Sequence, residues 1–531
     1  MQDNFAPGRA PLSRRRRSAL CDTRATLPRA LLLLCSALAL LPLIPRASAP
    51  LASQLDVLRV VMIGGGPDLE NNQVAIESNV RYLGRLLPAG TARTTLFADG
   101  DPNHATVLYD LDPPSRQDGE QIVNLLLDDD DSADSSRYRK PQLGGKLDGA
   151  SSHTAIHRVF GQLSQEEAAA PRPLLLYFTG HGSPDGESYQ NNTYDLWGEK
   201  QGLSVRELSQ ELSRLPAGVP VTLVMVQCFS GAFGNLIFEG GRPDGPLASR
   251  DLAGFFATVN QRMAAGCTSA VNEADYHDFT SYFFAALTGR DRVGRQVTGA
   301  DYDGDGRVSM EEAYCYTLIH DASIDVPVCT SDVFVRRFAP LKDRAVFATP
   351  YSRVHDWADP AQAAALDALS ASLHLTGEDR LQRAYDRMLS GQEDPQETPR
   401  TLPAMRRFRM LREEGRNLLL SRWPDLRLSD TAAAHAARQQ AIAALSREAR
   451  SGKWQDLLQA ADAVQQALME REKQEIAESH LIRLVRLGKS VVLARWLEEH
   501  GDPEIKARFT RLVAAERRSL LPPVDSLAAK S

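Results

Sequence analysis

The chain has 531 residues, of which 43% are hydrophobic and 24% charged, a composition typical of a globular protein with two to four domains. This composition excludes a chain that is disordered throughout. The formal net charge is −7, and residues 1–49, with eight Arg and two Asp, carry +6, so the chain without them would carry −13. Because an acidic chain repels phosphates, we expect no binding to nucleic acid.

The N-terminal segment has the layout of a secretory leader. Arginines at 14–17, 24 and 29 precede an apolar stretch at 30–44, and Ala47-Ser48-Ala49 follows. Residues 1–49 are therefore predicted to be a signal peptide, and the protein to be exported to the periplasm or secreted. The apolar stretch is short for a membrane span and contains Pro42, so an uncleaved anchor is the alternative. Membrane attachment is expected only through this segment.

Cysteine is too rare for a disulfide framework. Cys21 and Cys35 lie in the predicted leader. The other four are Cys228, Cys267, Cys315 and Cys329. A Cys315–Cys329 bridge is compatible with an exported protein and would leave Cys228 free, but spacing alone does not establish it.

From about residue 56, strand and helix patterns alternate. Strands are predicted at 58–63 and 93–97, in the apolar runs that begin at 174 and 221, and at 263–270; helices are predicted at 72–87, 152–163 and 275–287. This alternation predicts a parallel sheet with helices on both faces.

The helix between the two central runs has the clearest pattern. Val205, Leu208, Leu212 and Leu215 recur at helical spacing, and Ser204 with Glu207 forms a capping box at its start. It is predicted to be a right-handed crossover helix.

Two long interruptions divide the pattern. The segment 99–150 contains an acidic run at 128–134, which is expected to be a solvated loop. The segment 183–202 contains Tyr189, Tyr194 and Trp197. These aromatic residues either shape a substrate site or pack on the edge of the sheet.

Beyond about residue 351 the composition changes to Ala, Leu, Arg and Glu, and strand patterns end. Helical stretches at 361–373, 405–422, 431–449 and 455–487 predict a separate, helical C-terminal domain over 351–531. No residue in it indicates chemistry. Packing, inhibition and binding of a partner protein are all open as its role.

Two neighbouring strands end in reactive side chains. One apolar run ends in Thr179-Gly180-His181-Gly182, and the next ends in Gln227-Cys228-Phe229-Ser230-Gly231. Ligands bind outside the carboxyl ends of parallel strands, so both groups are expected in one cleft.

A cysteine reacts as thiolate and a histidine can protonate a leaving amine, so Cys228 is a candidate nucleophile and His181 a candidate acid and base. The backbone amides of Gly182 and of the turn after Cys228 could stabilise an oxyanion. Taken separately, the thiol would be a buried hydrophobe and the histidine a hydrogen-bonding turn residue.

The combination of these two segments resembles the cysteine peptidases of the caspase and legumain clan, in particular the bacterial caspase-like and legumain-like branch. The similarity extends over residues 56–345 and includes Leu147-Asp148-Gly149-Ala150 and Asp278-Phe279-Thr280-Ser281-Tyr282. The resemblance implies a caspase-like sandwich of a parallel sheet between helices. It also implies that His181 and Cys228 form the catalytic dyad and that the amides of Gly182 and Cys228 form the oxyanion hole.

The chain departs from better-known members of that clan around the nucleophile. Gln227 is adjacent to Cys228 instead of two residues before it, and Phe229 follows. Neither a preference for Asp nor one for Asn at the cleaved bond carries over. Glu273, Asp275 and Asp278 lie near a loop that shapes the first specificity pocket in relatives, which favours a basic residue before the cleaved bond.

A second motif, at 301–312, matches the twelve-position calcium loop of EF-hands. Its ligands would be Asp301, Asp303, Asp305, the Arg307 carbonyl, Ser309 directly or through water, and Glu312. Only the exiting helix, at 310–320, has a helical pattern. A single loop of this kind is expected to stabilise the catalytic domain, although regulation by calcium remains open. An acidic turn without an ion is the alternative.

These observations predict an α/β catalytic domain over 50–345 followed by an all-α C-terminal domain. The predicted function is that of a calcium-stabilised cysteine endopeptidase that hydrolyses peptide bonds through a thioester acyl-enzyme. Its expected partners are a peptide or protein substrate and calcium, with no organic cofactor. The alternatives are a transamidase that uses the same thioester and an inactive calcium-binding scaffold whose helical domain binds a partner.

Overall fold

The computed structural model describes residues 58–110, 118–127, 136–169, 171–186, 188–392, 401–428 and 431–521. The predicted leader at 1–49 and most of the acidic run at 128–134 lie outside these residues. No helix in the described part of the chain is long and apolar enough to cross a membrane.

The strands form one central sheet and two small ones. They are β1 (Arg59–Gly65), β2 (Ala92–Phe97), β3 (Val107–Asp110), β4 (Ser136–Arg139), β5 (Leu174–Gly180), β6 (Gly182–Ser183), β7 (Thr193–Tyr194), β8 (Leu203–Ser204), β9 (Val221–Met225), β10 (Leu252–Phe256) and β11 (Val328–Cys329). The central sheet has the order β2-β1-β5-β9-β10-β11. Its neighbours pair in parallel except β11, which is antiparallel to β10.

The helices of the α/β part are α1 (Val74–Leu86), α2 (Asp118–Leu127), α3 (His153–Ala169), α4 (Val205–Ser213), α5 (Phe279–Thr288), α6 (Met310–His320), α7 (Thr330–Phe338) and α8 (Asp343–Phe347). Those that follow are α9 (Tyr351–Trp357), α10 (Pro360–Ser372), α11 (Arg380–Gln392), α12 (Thr401–Arg422), α13 (Ala432–Glu448), α14 (Gly452–His500) and α15 (Pro503–Glu516).

Both faces of the central sheet are buried, because successive side chains of a strand point to opposite faces. On β5, Leu175 and Tyr177 pack with residues of α1, α5 and α6, whereas Leu176 and Phe178 pack with residues of α3 and α4. This explains why the strands are continuous apolar runs. The predicted α/β fold, with a mostly parallel sheet and helices on both faces, is confirmed.

The capping box predicted for the crossover helix is also confirmed. The Ser204 side chain accepts a hydrogen bond from the Glu207 backbone N–H, and the Glu207 carboxylate accepts from the Ser204 N–H. Helix α4 therefore begins at a fixed residue between β5 and β9, which places those two strands side by side.

The strand predicted at 263–270 is wrong. The fifth strand of the sheet is β10, eleven residues or so earlier, and 263–270 is a loop in which Met263 is 62% exposed. Gly254 interrupts the apolar run of β10 and hides its pattern. The glycine is needed there because a Cβ would lie 2.7 Å from the ring of Phe256.

The two interruptions contain structure of their own. The segment 99–150 includes β3 and β4, which pair antiparallel, and the helix α2. The segment 183–202 includes β6 and β7, which pair with each other, and β7 also pairs with β8. The helix predicted at 275–287 begins later, at Phe279, because Asp278 caps it through the Ser281 N–H.

The region from 351 onward is helical in its described residues, as predicted. It belongs to the same compact unit as the α/β part, since the chain from Pro50 to Ser531 does not divide further. Leu484 and Val485 of α14 share one core with Leu318 of α6 and Phe334 of α7. The C-terminal helices therefore complete the core of the α/β part.

A smaller core joins the insertion helix α2 to the C-terminal helices. Ile122, Val123 and Leu126 of α2 pack with Leu445 of α13 and Trp454 of α14. Gly119 of α2 lies so close to α13 that a Cβ there would be 2.3 Å from the Ser446 backbone nitrogen and 2.4 Å from the Ile442 carbonyl oxygen.

The Cys315–Cys329 bridge is not present. Both residues are free thiols and both are buried. Cys329 lies at the end of β11, where its sulfur is 3.1 Å from the Ser331 hydroxyl. Cys228 and Cys267 are free as well.

We predict that Gly119→Ala separates α2 from α13, because the methyl group has no space against the α13 backbone. The free energy of unfolding should fall by about 1–3 kcal/mol, measured by denaturant titration. The matched control is Gly391→Ala on α11, where a Cβ meets no atom within 4 Å. That substitution should stabilise the protein slightly, since alanine favours a helix by about 1 kcal/mol over glycine. Equal effects of the two substitutions would contradict the close contact.

Candidate active site

The ends of β5 and β9 bring His181 and Cys228 to the same edge of the sheet. The two strands pair in parallel up to Phe178 and Met225, and the Val226 N–H continues the ladder to the Phe178 carbonyl at 3.1 Å. His181 lies three residues after Phe178, and Cys228 lies three residues after Met225. Their shared register therefore places both residues at the same edge of the sheet.

Gly182, which follows β5, lies directly against the backbone of Cys228, which follows β9. A Cβ on Gly182 would be 2.4 Å from the Cys228 carbonyl oxygen and 2.6 Å from Gln227 Cγ. Only glycine fits so close an approach of two backbones. The backbone of Gly182 and that of Cys228 are thus adjacent.

The chain turns sharply after Cys228. Phe229 has φ 60° and ψ 16°, a left-handed conformation that is uncommon for a residue with a side chain, and it begins a 3-10 helix at Ser230–Ile237. The Phe229 N–H donates to the Arg262 carbonyl at 2.8 Å. Strained conformations of this kind occur at functional sites, where the surrounding structure holds them in place.

The Cys228 sulfur faces the loop 263–267. The Ala264 backbone N–H donates to it at 3.3 Å, and the Ala264 carbonyl oxygen lies 3.8 Å away. A second thiol, Cys267, lies on the same loop with its sulfur 3.7 Å from the Gly180 carbonyl oxygen. The loop 263–267, where the sequence pattern predicts a strand, therefore forms one wall of the candidate site.

Residues that follow β1 hold the His181 ring. Its Nε2 donates to the Gln73 Oε1 at 2.9 Å, and the ring also hydrogen bonds with the Asn71 backbone. The His181 carbonyl oxygen accepts from the Asp195 N–H at 3.0 Å. The Asp195 carboxylate accepts from the Ser183 hydroxyl at 2.9 Å. These hydrogen bonds fix the orientation of the His181 ring and the backbone beside it.

Burial makes both reactive groups neutral near pH 7. It lowers the pKa of His181 below its ordinary value, although the hydrogen bond with Asn71 and the charge of Asp195 act in the opposite direction. Burial raises the pKa of the Cys228 thiol, and the hydrogen bond from Ala264 opposes this only in part. The resting pair is therefore a thiol and an imidazole, not a thiolate and an imidazolium.

The carboxylates predicted near a first specificity pocket are engaged within the protein. Glu273 accepts hydrogen bonds from Arg81 and Arg85, the latter at 3.0 Å. Asp278 is buried, caps α5 and lies 3.1 Å from Arg292. The charges of Glu273 and Asp278 are therefore already paired and give no support to a preference for a basic substrate residue. Asp275 is exposed and accepts a hydrogen bond from the Asn272 side-chain amide at 2.6 Å.

Two aromatic residues of the segment 183–202 lie in different surroundings. Tyr194 is fully buried and packs edge-on against Phe178, with ring centroids 5.3 Å apart. Tyr189 lies over Phe229, next to the nucleophile, with ring centroids 6.3 Å apart. Tyr194 is thus a packing residue, while Tyr189 stands beside the candidate site.

The predicted calcium loop brings three acids together. Carboxylate oxygens of Asp301, Asp303 and Asp305 lie within 4.8 Å of one another and are exposed. Gly304, at φ 73°, and Gly306, at φ 83°, provide the turns. Carboxylate oxygens are ligands that hard divalent cations prefer, so the donor set fits a metal ion.

The other predicted ligands surround this triad. The Arg307 N–H donates to the Asp305 carboxylate at 2.8 Å. Ser309 and Glu312 form a capping box at the start of α6, and the Glu312 carboxylate also accepts from the Tyr302 N–H at 2.8 Å. Each carboxylate oxygen has a second lone pair, so these hydrogen bonds do not prevent Glu312 from binding an ion. As predicted, residues 294–300 form no helix before the loop.

Sequence reasoning missed several residues at the site. Gln73 and Ala264 contact the dyad residues, and Cys267 stands beside them. Gln73 follows a glycine-rich strand end on the same sheet edge, a signal that could have identified it. Ala264 contributes through its backbone, which leaves no trace in the type of side chain.

No protein-family model matches the chain, and no curated protein matches it. The function therefore has to be argued from the geometry.

We predict that iodoacetamide, which reacts with thiolate, labels Cys228 slowly at pH 7. Because burial raises the pKa of this thiol, the thiolate fraction and the rate should increase with pH through about pH 9. Peptide mapping by mass spectrometry would separate Cys228 from Cys267. In His181→Ala the curve should keep its shape, since the resting histidine carries no charge to stabilise thiolate. A plateau between about pH 6 and 8 would instead indicate a preformed ion pair.

Proposed function

We propose that the protein is a cysteine endopeptidase in which Cys228 is the nucleophile and His181 the acid and base. The observation that carries the proposal is the contact of Gly182 with the Cys228 backbone at the joined ends of β5 and β9. It supports the proposal because it brings the backbone next to His181 and the backbone of Cys228 together at one edge of the sheet. The strand order and the resemblance of the two motifs to the caspase and legumain clan give further support.

The reaction follows from the protonation states. His181 takes the proton of Cys228 as the sulfur attacks the carbonyl carbon of a peptide bond, so a thiolate forms only when substrate is present. The amides of Gly182 and Cys228 stabilise the oxyanion. His181 then gives its proton to the leaving amine as the C–N bond breaks, which leaves a thioester. Water, activated by His181, hydrolyses the thioester and restores the thiol.

We predict that the protein without residues 1–49 cleaves members of a diverse peptide library and that Cys228→Ala does not. Gly182→Ala should lower kcat at least about 100-fold, because its methyl group displaces the Cys228 carbonyl and disturbs the oxyanion site. Gly218→Ala is the control, since a Cβ there meets no atom within 4 Å. Mass spectrometry of the products distinguishes hydrolysis from transfer to an added amine.

Equal cleavage by the wild type and by Cys228→Ala would contradict the proposal. Binding of peptides without cleavage, at equal strength in both proteins, would favour a scaffold.

We further propose that the loop 301–312 binds calcium through Asp301, Asp303, Asp305, the Arg307 carbonyl, Ser309 and Glu312. Bound calcium would offset part of the negative charge of the three clustered acids and fix the start of α6. Its effect on the protein would be structural, because an ion that binds only the folded state stabilises it by mass action. No step of the peptidase reaction requires the ion.

We predict that calcium raises the melting temperature. At a free concentration 100-fold above Kd, the gain in unfolding free energy should be about 2.7 kcal/mol. The double substitution Asp303→Asn/Asp305→Asn should abolish this gain, because it removes two carboxylate ligands. Asp462→Asn, at an exposed site on α14, should leave it unchanged. Differential scanning fluorimetry with calcium, magnesium and chelator measures the shift, and an unchanged shift in the double variant would contradict the site.

A further inference from the structure

A fully buried arginine of the C-terminal helices organises the segment after α6. Arg483 of α14 donates from Nε to the Asp325 carbonyl at 2.8 Å and from Nη1 to the Asp321 carbonyl at 2.7 Å. It also donates to the carbonyls of Leu318 and Ser323, at 3.3 and 3.1 Å. Its Nη2 lies 3.5 Å from the Asp321 carboxylate, and neither side chain is exposed. One side chain thus binds one carbonyl in the last turn of α6 and three carbonyls of the irregular segment 321–325 beyond it.

The same segment holds the wall of the candidate site. The buried Asp325 carboxylate accepts from the Ala265 N–H at 2.7 Å and from the Phe279 N–H at 3.2 Å. Ala265 follows Ala264, whose N–H donates to the Cys228 sulfur at 3.3 Å. Arg483 is therefore connected to the Cys228 sulfur through Asp325 and the dipeptide Ala264-Ala265.

Neighbouring residues of α14 reinforce the contact. The Ser479 hydroxyl donates to the Ile324 carbonyl at 2.9 Å. Glu478 lies 3.2 Å from the Arg262 guanidinium, and the Arg262 carbonyl accepts from the Phe229 N–H at 2.8 Å. Helix α14 therefore supports both ends of the loop 262–265, one against the sulfur of Cys228 and the other against the turn that follows it.

From these contacts we propose that Arg483 is a positioning residue for the peptidase reaction, acting through Asp325 to hold the Ala264 N–H against the Cys228 sulfur. The inference rests on the proposed function of Cys228. Burying a guanidinium is costly, and apolar packing could stabilise the same helix contact equally well. What only the guanidinium provides is five directed donors, which fix the backbone of a segment without regular structure. The C-terminal helices are in this view part of the catalytic unit and not an inhibitor of it.

The decisive comparison is Arg483→Met with Arg486→Met in the full chain. Arg486 lies one turn further along α14, and its partner is Asp332 of α7. Both substitutions break an ionic contact of the same helix, fully buried at Arg483 and with the side chain 25% exposed at Arg486, so both should lower stability. Only Arg483→Met should lower kcat, by at least about tenfold with KM changed less than about threefold, because only it releases the loop at Cys228. Arg483→Lys should restore part of kcat, since an ammonium replaces some of the donors.

Amide hydrogen exchange at 262–267 tests the positioning without any need for activity. Exchange should be at least about tenfold faster in Arg483→Met than in the wild type and unchanged in Arg486→Met. If Arg483→Met does not fold, Asp325→Asn replaces it, because one amide oxygen cannot serve both N–H donors as the carboxylate does. Its exchange at 262–267 should also be faster.

The outcomes separate the two proposals. Equal cleavage by the wild type and by Cys228→Ala would overturn the peptidase function, whereas the exchange result would still decide the positioning. Unchanged exchange and unchanged kcat in Arg483→Met, or equal changes in Arg486→Met, would overturn the role of Arg483.

Discussion

Parallel hydrogen bonding between β5 and β9 is the constraint on which the candidate site depends. Because the two strands run in the same direction and in fixed register, their ends reach one edge of the sheet. The same register places His181 and Cys228 at that edge. The close approach of Gly182 to Cys228 follows from the same pairing, and it excludes every other residue at position 182.

A second level of organisation comes from outside the sheet. The loop that faces the Cys228 sulfur has no strand or helix of its own, so its shape depends on what binds its backbone. Asp325, in the segment after α6, accepts a hydrogen bond from the Ala265 N–H of that loop, and Arg483 of α14 in turn donates to the Asp325 carbonyl. Helix α6, which begins within the loop 301–312, contacts the same arginine near its end, through the Leu318 carbonyl. The loop 301–312, Cys228 and the C-terminal helices are thus joined by continuous contacts.

Much of the fold could be predicted, because strand pattern and helix caps are local signals. The apolar runs of β5 and β9 and the capping box of α4 needed only a few residues each. The strand β10 was missed because Gly254 interrupts its pattern, and the reason for that glycine, the ring of Phe256, is visible only after packing. The dyad candidates carry reactive side chains and were identifiable. Ala264 acts through its backbone, and Arg483 is one of many arginines in a helical region, so neither could be found from sequence.

The most direct test of the account is covalent labelling with a peptidyl acyloxymethyl ketone, followed by mass spectrometry of the intact protein and its peptides. This electrophile binds as a substrate does before it reacts. The account predicts a single adduct on Cys228 that forms far faster than with iodoacetamide at neutral pH and is lost in His181→Ala. Labelling divided between Cys228 and Cys267, or an equal rate in His181→Ala, would contradict a Cys228–His181 dyad.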